Sequence, residues 1–207
     1  MKTIAVVLLL VVNFTVSAKF YRGTILFTDG NSKNGYIELP DYPDDKKIKF
    51  REEERGKTEK IEIDLIKSFE IINDNNSSVK YITIYLAEPK AFAKNQYKID
   101  NHKSWVKVVK EGKINLYSAY YSYSLGVKTG GGSSTYIQKE NMEYACYLDS
   151  SFGGLNCTIG AFANLKRNLE NIFEKDCPKL AQLVNKEDMK KKGYEYIVVL
   201  YDTNCDK

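Results

Sequence analysis

The sequence predicts an α+β protein in which an antiparallel, β-rich region is followed by a C-terminal cluster of helices. Two observations predict this class. Short runs of Ile, Val, Tyr, Phe and Thr, separated by Gly, Asn, Asp and Pro, dominate residues 20–159, and such runs are typical of antiparallel strands. After Gly160 the spacing of apolar residues changes from a period of two to the period of a helix.

The first five strands are predicted within residues 20–72. Asp29-Gly30 separates two runs of alternating residues, and this dipeptide favours the two-residue turn of a β-hairpin. Asp64 is expected to begin a single helical turn before the last of the five strands. Five short strands with such a turn are compatible with a small, strongly bent barrel that resembles an SH3-like domain.

Further strands are predicted after a polar loop, and helices after them. The strands are expected at 81–86, 105–109, 114–123, 135–138, 144–148 and 155–159. An apolar stripe from Phe162 to Phe173 predicts an amphipathic helix, Pro178 favours a second short helix, and Asn185 is expected to cap a third. A fourth helix is predicted after Gly193, although residues 196–201 are equally rich in strand-forming side chains.

Residues 1–18 have the pattern of a cleavable secretory signal peptide. Lys2 precedes an apolar run from Ile4 to Val12, and Val16-Ser-Ala18 fits a cleavage site. The apolar run is shorter than the roughly 20 residues that cross a membrane, so no membrane span is expected after cleavage. The sequence therefore predicts a secreted or periplasmic protein with one mature domain, 19–207. That domain can be subdivided into a small β-barrel, 19–72, an antiparallel sheet, 73–159, and helices, 160–207.

Export suggests disulfides for the four cysteines, because paired cysteines become oxidised outside the cytoplasm. Four cysteines allow three connectivities. We favour Cys177 with Cys205, which ties a helix start to the chain end, and Cys146 with Cys157, across a hairpin. No zinc site is expected, since the cysteines are far apart in sequence and His102 is the only histidine.

The charge pattern and the motifs exclude several classes of function. The net charge is +4, from 31 basic and 27 acidic residues. The two signs alternate along the chain, whereas a nucleic-acid surface shows clusters of one sign. No nucleic-acid partner is therefore expected. Known nucleophile, zinc and calcium motifs are absent from the sequence, and the polar neighbours of His102 predict a surface turn. No catalytic residue, metal or cofactor is expected.

The most distinctive segment is Tyr117-Ser-Ala-Tyr-Tyr-Ser-Tyr-Ser124, which is followed by a Gly/Ser stretch at 130–134. On a strand, Tyr120 lies on the face opposite to the other three tyrosines. Tyr, Ser and Gly are favoured in recognition surfaces, because tyrosine gives a large contact area at low entropic cost. We therefore predict a binding surface formed by Tyr117, Tyr120, Tyr121, Tyr123 and Tyr136. A strand with one buried face, ending in a glycine-rich hairpin tip, is the alternative, and Trp105 is expected in the core.

Several segments together resemble uncharacterised secreted proteins of Bacteroidota bacteria. Besides the exported start, they are Gly23-Thr-Ile-Leu-Phe-Thr-Asp-Gly30 with Gly35-Tyr-Ile, the run from Trp105 to Tyr117, and Asp176-Cys-Pro-Lys-Leu180 before Cys205. The resemblance implies a periplasmic or extracellular location. It transfers no functional residue.

Taken together, these features predict a non-enzymatic binding or interaction module of the cell envelope or extracellular space, with a partner in the same compartment. Two alternatives remain open. A secreted hydrolase would use carboxylates that the fold brings together, and a pocket holding two acids, or His102 with an acid, would favour it. A structural envelope component would present an exposed apolar patch or an unpaired strand edge.

Overall fold

The computed structural model of the chain describes residues 19–90, 96–125, 128–152 and 161–205, and the side chains of 122–125, 128, 129 and 152 lie outside this description. Within these ranges the chain forms β-strands followed by helices, which confirms the α+β class. The strands are β1 (Phe20–Phe27), β2 (Ser32–Glu38), β3 (Lys47–Arg51), β4 (Glu59–Glu62), β5 (Ile66–Ile72), β6 (Ser78–Pro89), β7 (Tyr97–Lys110), β8 (Ile114–Leu125), β9 (Lys128–Lys139) and β10 (Tyr144–Phe152). The helices are α1 (Ala161–Phe173), α2 (Leu180–Leu183), α3 (Lys186–Lys192) and α4 (Glu195–Asn204).

The strands belong to one sheet with the order β10-β9-β8-β7-β6-β5-β1-β2-β3-β4. Neighbours in this order are antiparallel, but β10 also pairs in parallel with β6, through residues 144–146 and 85–87. One edge of β6 pairs with β7, and its other edge is divided between β5, which pairs with residues 78–82, and β10. The sheet is therefore mixed, which corrects the prediction of a purely antiparallel one.

The SH3-like barrel predicted for residues 20–72 is not confirmed. The expected local features are present, since the β1–β2 hairpin turns at Gly30 with a φ of 89° and a 3₁₀ turn at Ile63–Leu65 precedes β5. However, β5 pairs with β6 as well as with β1. The first five strands therefore continue into the ten-stranded sheet, which is not a barrel.

Two segments lie in strands and not in turns: residues 130–134, where a hairpin tip was the alternative interpretation, and His102, where a surface turn was predicted. Residues 130–134 belong to β9 and pair with 119–123 of β8, so the glycine-rich stretch is not a hairpin tip. His102 lies in β7 with an exposed side chain. Polar and glycine-rich composition favours turns, but pairing with a neighbouring strand overrides that preference. The strand predicted at 155–159 lies outside the described residues.

The helices cover one face of the sheet, where α1 contacts β10 and α4 contacts β7 and β8. The predicted stripe of α1 is confirmed, because Leu165, Leu169 and Phe173 are buried. The predicted cap of α3 is also confirmed. Asn185 Oδ1 accepts a hydrogen bond of 2.8 Å from the backbone N–H of Asp188, which satisfies one of the free donors at the helix start. None of the described helices is long and apolar enough to cross a membrane.

The predicted disulfide between Cys177 and Cys205 is present and joins the turn before α2 to the end of α4. Cys146 is buried in β10 and has no disulfide partner among the described residues. Burial raises the pKa of this thiol to about 12, although Lys139 acts in the opposite direction. The proposed partner of Cys146, Cys157, lies outside the described residues, so that pairing stays a prediction.

Buried side chains form three clusters. The first lies between the helices and strands β8–β10. The second fills the space beneath the first five strands and includes Trp105, whose predicted core position is thereby confirmed. The third lies among β6–β10. Trp105 comes from β7 but packs with the first five strands, so it fixes the position of the two halves of the sheet relative to each other.

Candidate functional site

Tyr117 and Tyr136, two of the predicted binding residues, are core residues. They are only 3% and 6% exposed. The Tyr117 hydroxyl donates to Gln138 Oε1 at 2.7 Å, and the Tyr136 hydroxyl donates to Glu88 Oε1 at 3.1 Å. Burial raises the pKa of both tyrosines, that of Tyr117 to about 12. These two side chains stabilise the third cluster and leave no aromatic face for a partner.

Tyr120 and Tyr121 lie on opposite faces of β8, and each ring covers a glycine of β9. A methyl group on Gly131 would lie 2.0 Å from the hydroxyl oxygen of Tyr120, and one on Gly132 would lie 2.9 Å from the Tyr121 ring. The glycine-rich sequence of β9 therefore makes room for tyrosine rings. Tyr120 is 64% exposed and Tyr121 is half-buried. The Tyr123 side chain lies outside the described residues.

Tyr120 is one wall of a cleft between the outer face of β6–β8 and the connection from β2 to β3. The floor contains a row of three side chains in register on adjacent strands, Tyr81, Lys107 and Ser118. The volume of the cleft is about 180 Å³, and Tyr42, on the opposite wall, is 48% exposed. We refer to it as the Tyr42–Tyr120 cleft. Its other lining residues are Leu39, Pro40, Pro43 and Trp105.

Hydrogen bonds hold the β2–β3 connection against β7. Trp105 donates its backbone N–H to the Pro43 carbonyl oxygen at 2.7 Å and its indole Nε1–H to the Asp45 carbonyl oxygen at 2.7 Å. The Asp45 carboxylate in turn accepts from the backbone N–H of Tyr42 at 3.0 Å. Pro40 and Pro43 have a restricted backbone φ. These hydrogen bonds and prolines restrict the wall of the cleft, which lowers the entropic cost of binding a ligand there.

Phe69 of β5 supports the aromatic floor from below. Its ring is stacked on Tyr81 with centroids 4.8 Å apart and is tilted against Trp105 at 5.5 Å. Burial raises the pKa of Tyr81 above its ordinary value, with a smaller contribution from Tyr21. The Tyr81 hydroxyl is protonated at neutral pH, as that of an ordinary tyrosine also is, and can donate a hydrogen bond.

Lys107 is the single charged side chain among the lining residues. Within the described part of the chain, its ammonium group has no ion pair or hydrogen bond, and the side-chain hydroxyls of Tyr42, Ser118 and Tyr120 likewise have no hydrogen-bond partner. The cleft thus combines apolar walls with hydroxyl groups and one free positive charge. That combination is complementary to a ligand in which an apolar group lies next to an anionic one.

A second pocket, of about 420 Å³, opens beside the disulfide and contains Glu140 and Asp176. Its acids are not a free pair. The Lys139 ammonium lies 2.5 Å from Asp176 Oδ2 and also donates to the Ile172 carbonyl oxygen at 3.3 Å, so this ion pair ties the end of α1 to β9. His102 contacts Asn101, at 2.9 Å between Nδ1 and Oδ1, rather than an acid. A third pocket, of about 440 Å³, is lined by Glu52, Glu53 and Glu59, but these acids are exposed and Glu59 is paired with Lys33. The hydrolase alternative therefore stays a hypothesis.

Analysis of the sequence identified Tyr120 but missed Tyr42 and Lys107. The lining residues come from the β2–β3 connection and from three later strands, so no local pattern joins them. One signal was available for Tyr42, which lies between Pro40 and Pro43. Prolines favour extended backbone and cannot complete a central strand, so they mark a connection that holds a tyrosine at the surface.

Comparison with protein-family models, curated proteins and solved structures finds no match. No residue role is transferred from another protein, and the cleft is characterised by its own geometry.

Proposed function

We propose that the protein is an exported, non-enzymatic binding module of the cell envelope or extracellular space, and that its ligand binds in the Tyr42–Tyr120 cleft. One observation carries the proposal: two substantially exposed tyrosines, Tyr42 and Tyr120, line the same small cleft together with the aromatic side chains of Tyr81 and Trp105. Aromatic rings bury roughly 150–250 Å² each when fully covered, and tyrosine loses little rotamer entropy on binding. Covering Tyr42 and Tyr120 with a ligand would therefore be favourable.

Export is supported by the signal-peptide pattern at residues 1–18 and by the Cys177–Cys205 disulfide, since disulfides persist in oxidising compartments. The resemblance to secreted proteins of Bacteroidota bacteria points the same way. Non-reducing mass spectrometry of the protein from its native host tests this part. The expected chain begins at Lys19 with Cys177 bonded to Cys205. Retention of residues 1–18 together with free thiols at both positions would contradict export.

The binding part is tested with arrays of peptides and glycans probed with purified protein. Trp105 is the only tryptophan and lines the cleft, so its fluorescence should change when an array hit is titrated in solution. Tyr120→Ser is expected to abolish both signals, because it removes one wall of the cleft. Val199→Ser is the control, since Val199 is 48% exposed on α4 and does not line the cleft. If the two variants bind alike, the cleft is not the binding site.

A further inference from the structure

We infer, on the basis of the proposed function, that the Tyr42–Tyr120 cleft binds an extended peptide segment of a partner protein in which an apolar side chain is adjacent to an acidic residue. The apolar side chain enters between Tyr42 and Tyr120. The carboxylate of its neighbour pairs with the ammonium group of Lys107 at the floor of the cleft.

The size of the cleft favours a single side chain over a whole small molecule. Sites that enclose drug-sized ligands have volumes of roughly 300–1,000 Å³, whereas this cleft has about 180 Å³. Most of any larger ligand must therefore lie outside it. A peptide meets this condition, because its backbone can cross the rim while one side chain fills the cleft, as in the recognition of extended segments by aromatic-lined grooves.

The chemistry of the lining favours a peptide over a sugar. A sugar ring presents several hydroxyl groups, each of which needs a hydrogen-bond partner once it leaves water, and carboxylate, amide and guanidinium groups can each bond more than one of them. No Asp, Glu, Asn, Gln or Arg lines the cleft. Its walls are proline, leucine and tyrosine, and aromatic residues of this kind are enriched at the cores of protein interfaces. An apolar side chain therefore matches the lining better than a ring of hydroxyls does.

The charge of the lining predicts which residue of the peptide lies next to the apolar side chain. Lys107 contributes one positive charge, no acidic residue lines the cleft, and no described carboxylate pairs with Lys107. Ser118 lies directly opposite Lys107 on β8, so an incoming carboxylate meets an ammonium group and a hydroxyl donor together. Charge complementarity of this type selects the partner and its register.

Selection from a library of eight-residue peptides with four randomised central positions tests the inference. The full secreted protein is immobilised, and bound peptides are sequenced. The expected enrichment is Asp or Glu next to Pro, Leu or an aromatic residue. One enriched peptide is then labelled with fluorescein and titrated by polarisation. Lys107→Gln is expected to weaken binding about fivefold, the size expected for one partly exposed ion pair. Lys110→Gln, an exposed lysine on the same strand outside the cleft, should have no effect.

Replacing the acidic residue of the peptide by its amide should weaken binding to the wild-type protein about fivefold as well. It should not further weaken binding to the Lys107→Gln variant. Enrichment without acidic residues, or equal losses for Lys107→Gln and Lys110→Gln, would overturn this inference, while a loss with Tyr120→Ser would still uphold the cleft as the binding site. The absence of any selected peptide would also overturn it, and glycan binding that depends on Tyr120 would then preserve the proposed function with a different ligand. Binding that is insensitive to Tyr120→Ser would overturn both.

Discussion

Replacement of Cys177 and Cys205 by alanine is expected to lower the free energy of unfolding by about 3.6 kcal/mol. The disulfide joins residues separated by 28 positions, and opening a loop of that length returns about 12 cal/mol/K of entropy to the unfolded chain, which gives the stated value at 25 °C. The closed loop contains α2, α3 and α4. For a protein of this size, the loss corresponds to a fall in Tm of about 7–14 °C.

Urea unfolding measured by two probes provides the assay. Far-UV circular dichroism reports the helices, and fluorescence of Trp105 reports the junction between the two halves of the sheet. Reduced wild-type protein is the second arm, because it keeps the same side chains and lacks the Cys177–Cys205 bond, together with the predicted Cys146–Cys157 bond. The unfolded chain without the bond is more expanded, so the slope of the free energy against urea concentration should rise.

A loss below about 1 kcal/mol in both arms would refute this reasoning, because it lies well under the usual range for a native disulfide. It would mean that the unfolded chain is not restricted by the bond and that packing of α1 and α4 alone holds the helices. A loss in the alanine variant only would assign the effect to the packing of the buried sulfur atoms. Separation of the two unfolding curves would show that the helices unfold before the sheet.

Three other variants test packing and charge. Gly35→Ala should cost about 1–3 kcal/mol or more, because the methyl group would lie 2.3 Å from the Arg51 carbonyl oxygen and 2.5 Å from the Phe50 ring. In Gly131→Ala the nearest atoms belong to the movable Tyr120 side chain, so equal thermal unfolding of the two variants would contradict this. Leu169→Ala truncates a fully buried side chain of α1 and should cost about 2–5 kcal/mol in urea unfolding, whereas exposed Glu170→Ala should be near neutral. Glu88 is exposed overall, but partial desolvation of its carboxyl group raises the pKa of Glu88 above 4.5, and the hydrogen bond from Tyr136 partly offsets this. The folded protein therefore holds that proton more tightly than the unfolded chain. This stabilisation is present below pH 4.5 and is lost as the pH rises through the raised pKa. The Tm of Glu88→Gln relative to wild type should therefore increase with pH. A decrease would show that the pKa of Glu88 is not raised by folding.

The elements of the fold were predictable because their signals are local. The Asp29-Gly30 turn, the apolar stripe of α1 and the Asn185 cap each depend on residues within a few positions of one another. The pairing of β10 with β6 depends on strands far apart in sequence, and no residue in either strand specifies that partner. The SH3-like barrel was predicted from residues 20–72 alone. The second neighbour of β5 is β6, which lies outside that segment.

The candidate site was only partly predictable. Alternation along β8 places Tyr117 and Tyr121 on one face of the strand and Tyr120 on the other. It does not predict which of the two faces is buried. In the structure Tyr117 is buried and Tyr120 is exposed. The exposed face becomes a cleft only because the β2–β3 connection bonds to Trp105, an interaction between residues that are distant in sequence.

The divided edge of β6 has a consequence for how the chain folds. Strand β5 precedes β6 directly, whereas β10 is the last of the described strands to be synthesised. The edge of residues 85–87 that pairs with β10 therefore stays unpaired until most of the chain has been made. Non-local pairings of this kind form slowly, and an unpaired edge can pair with another chain instead. We expect refolding yield to fall as protein concentration rises, and a yield independent of concentration would show that β10 arrives before neighbouring molecules meet.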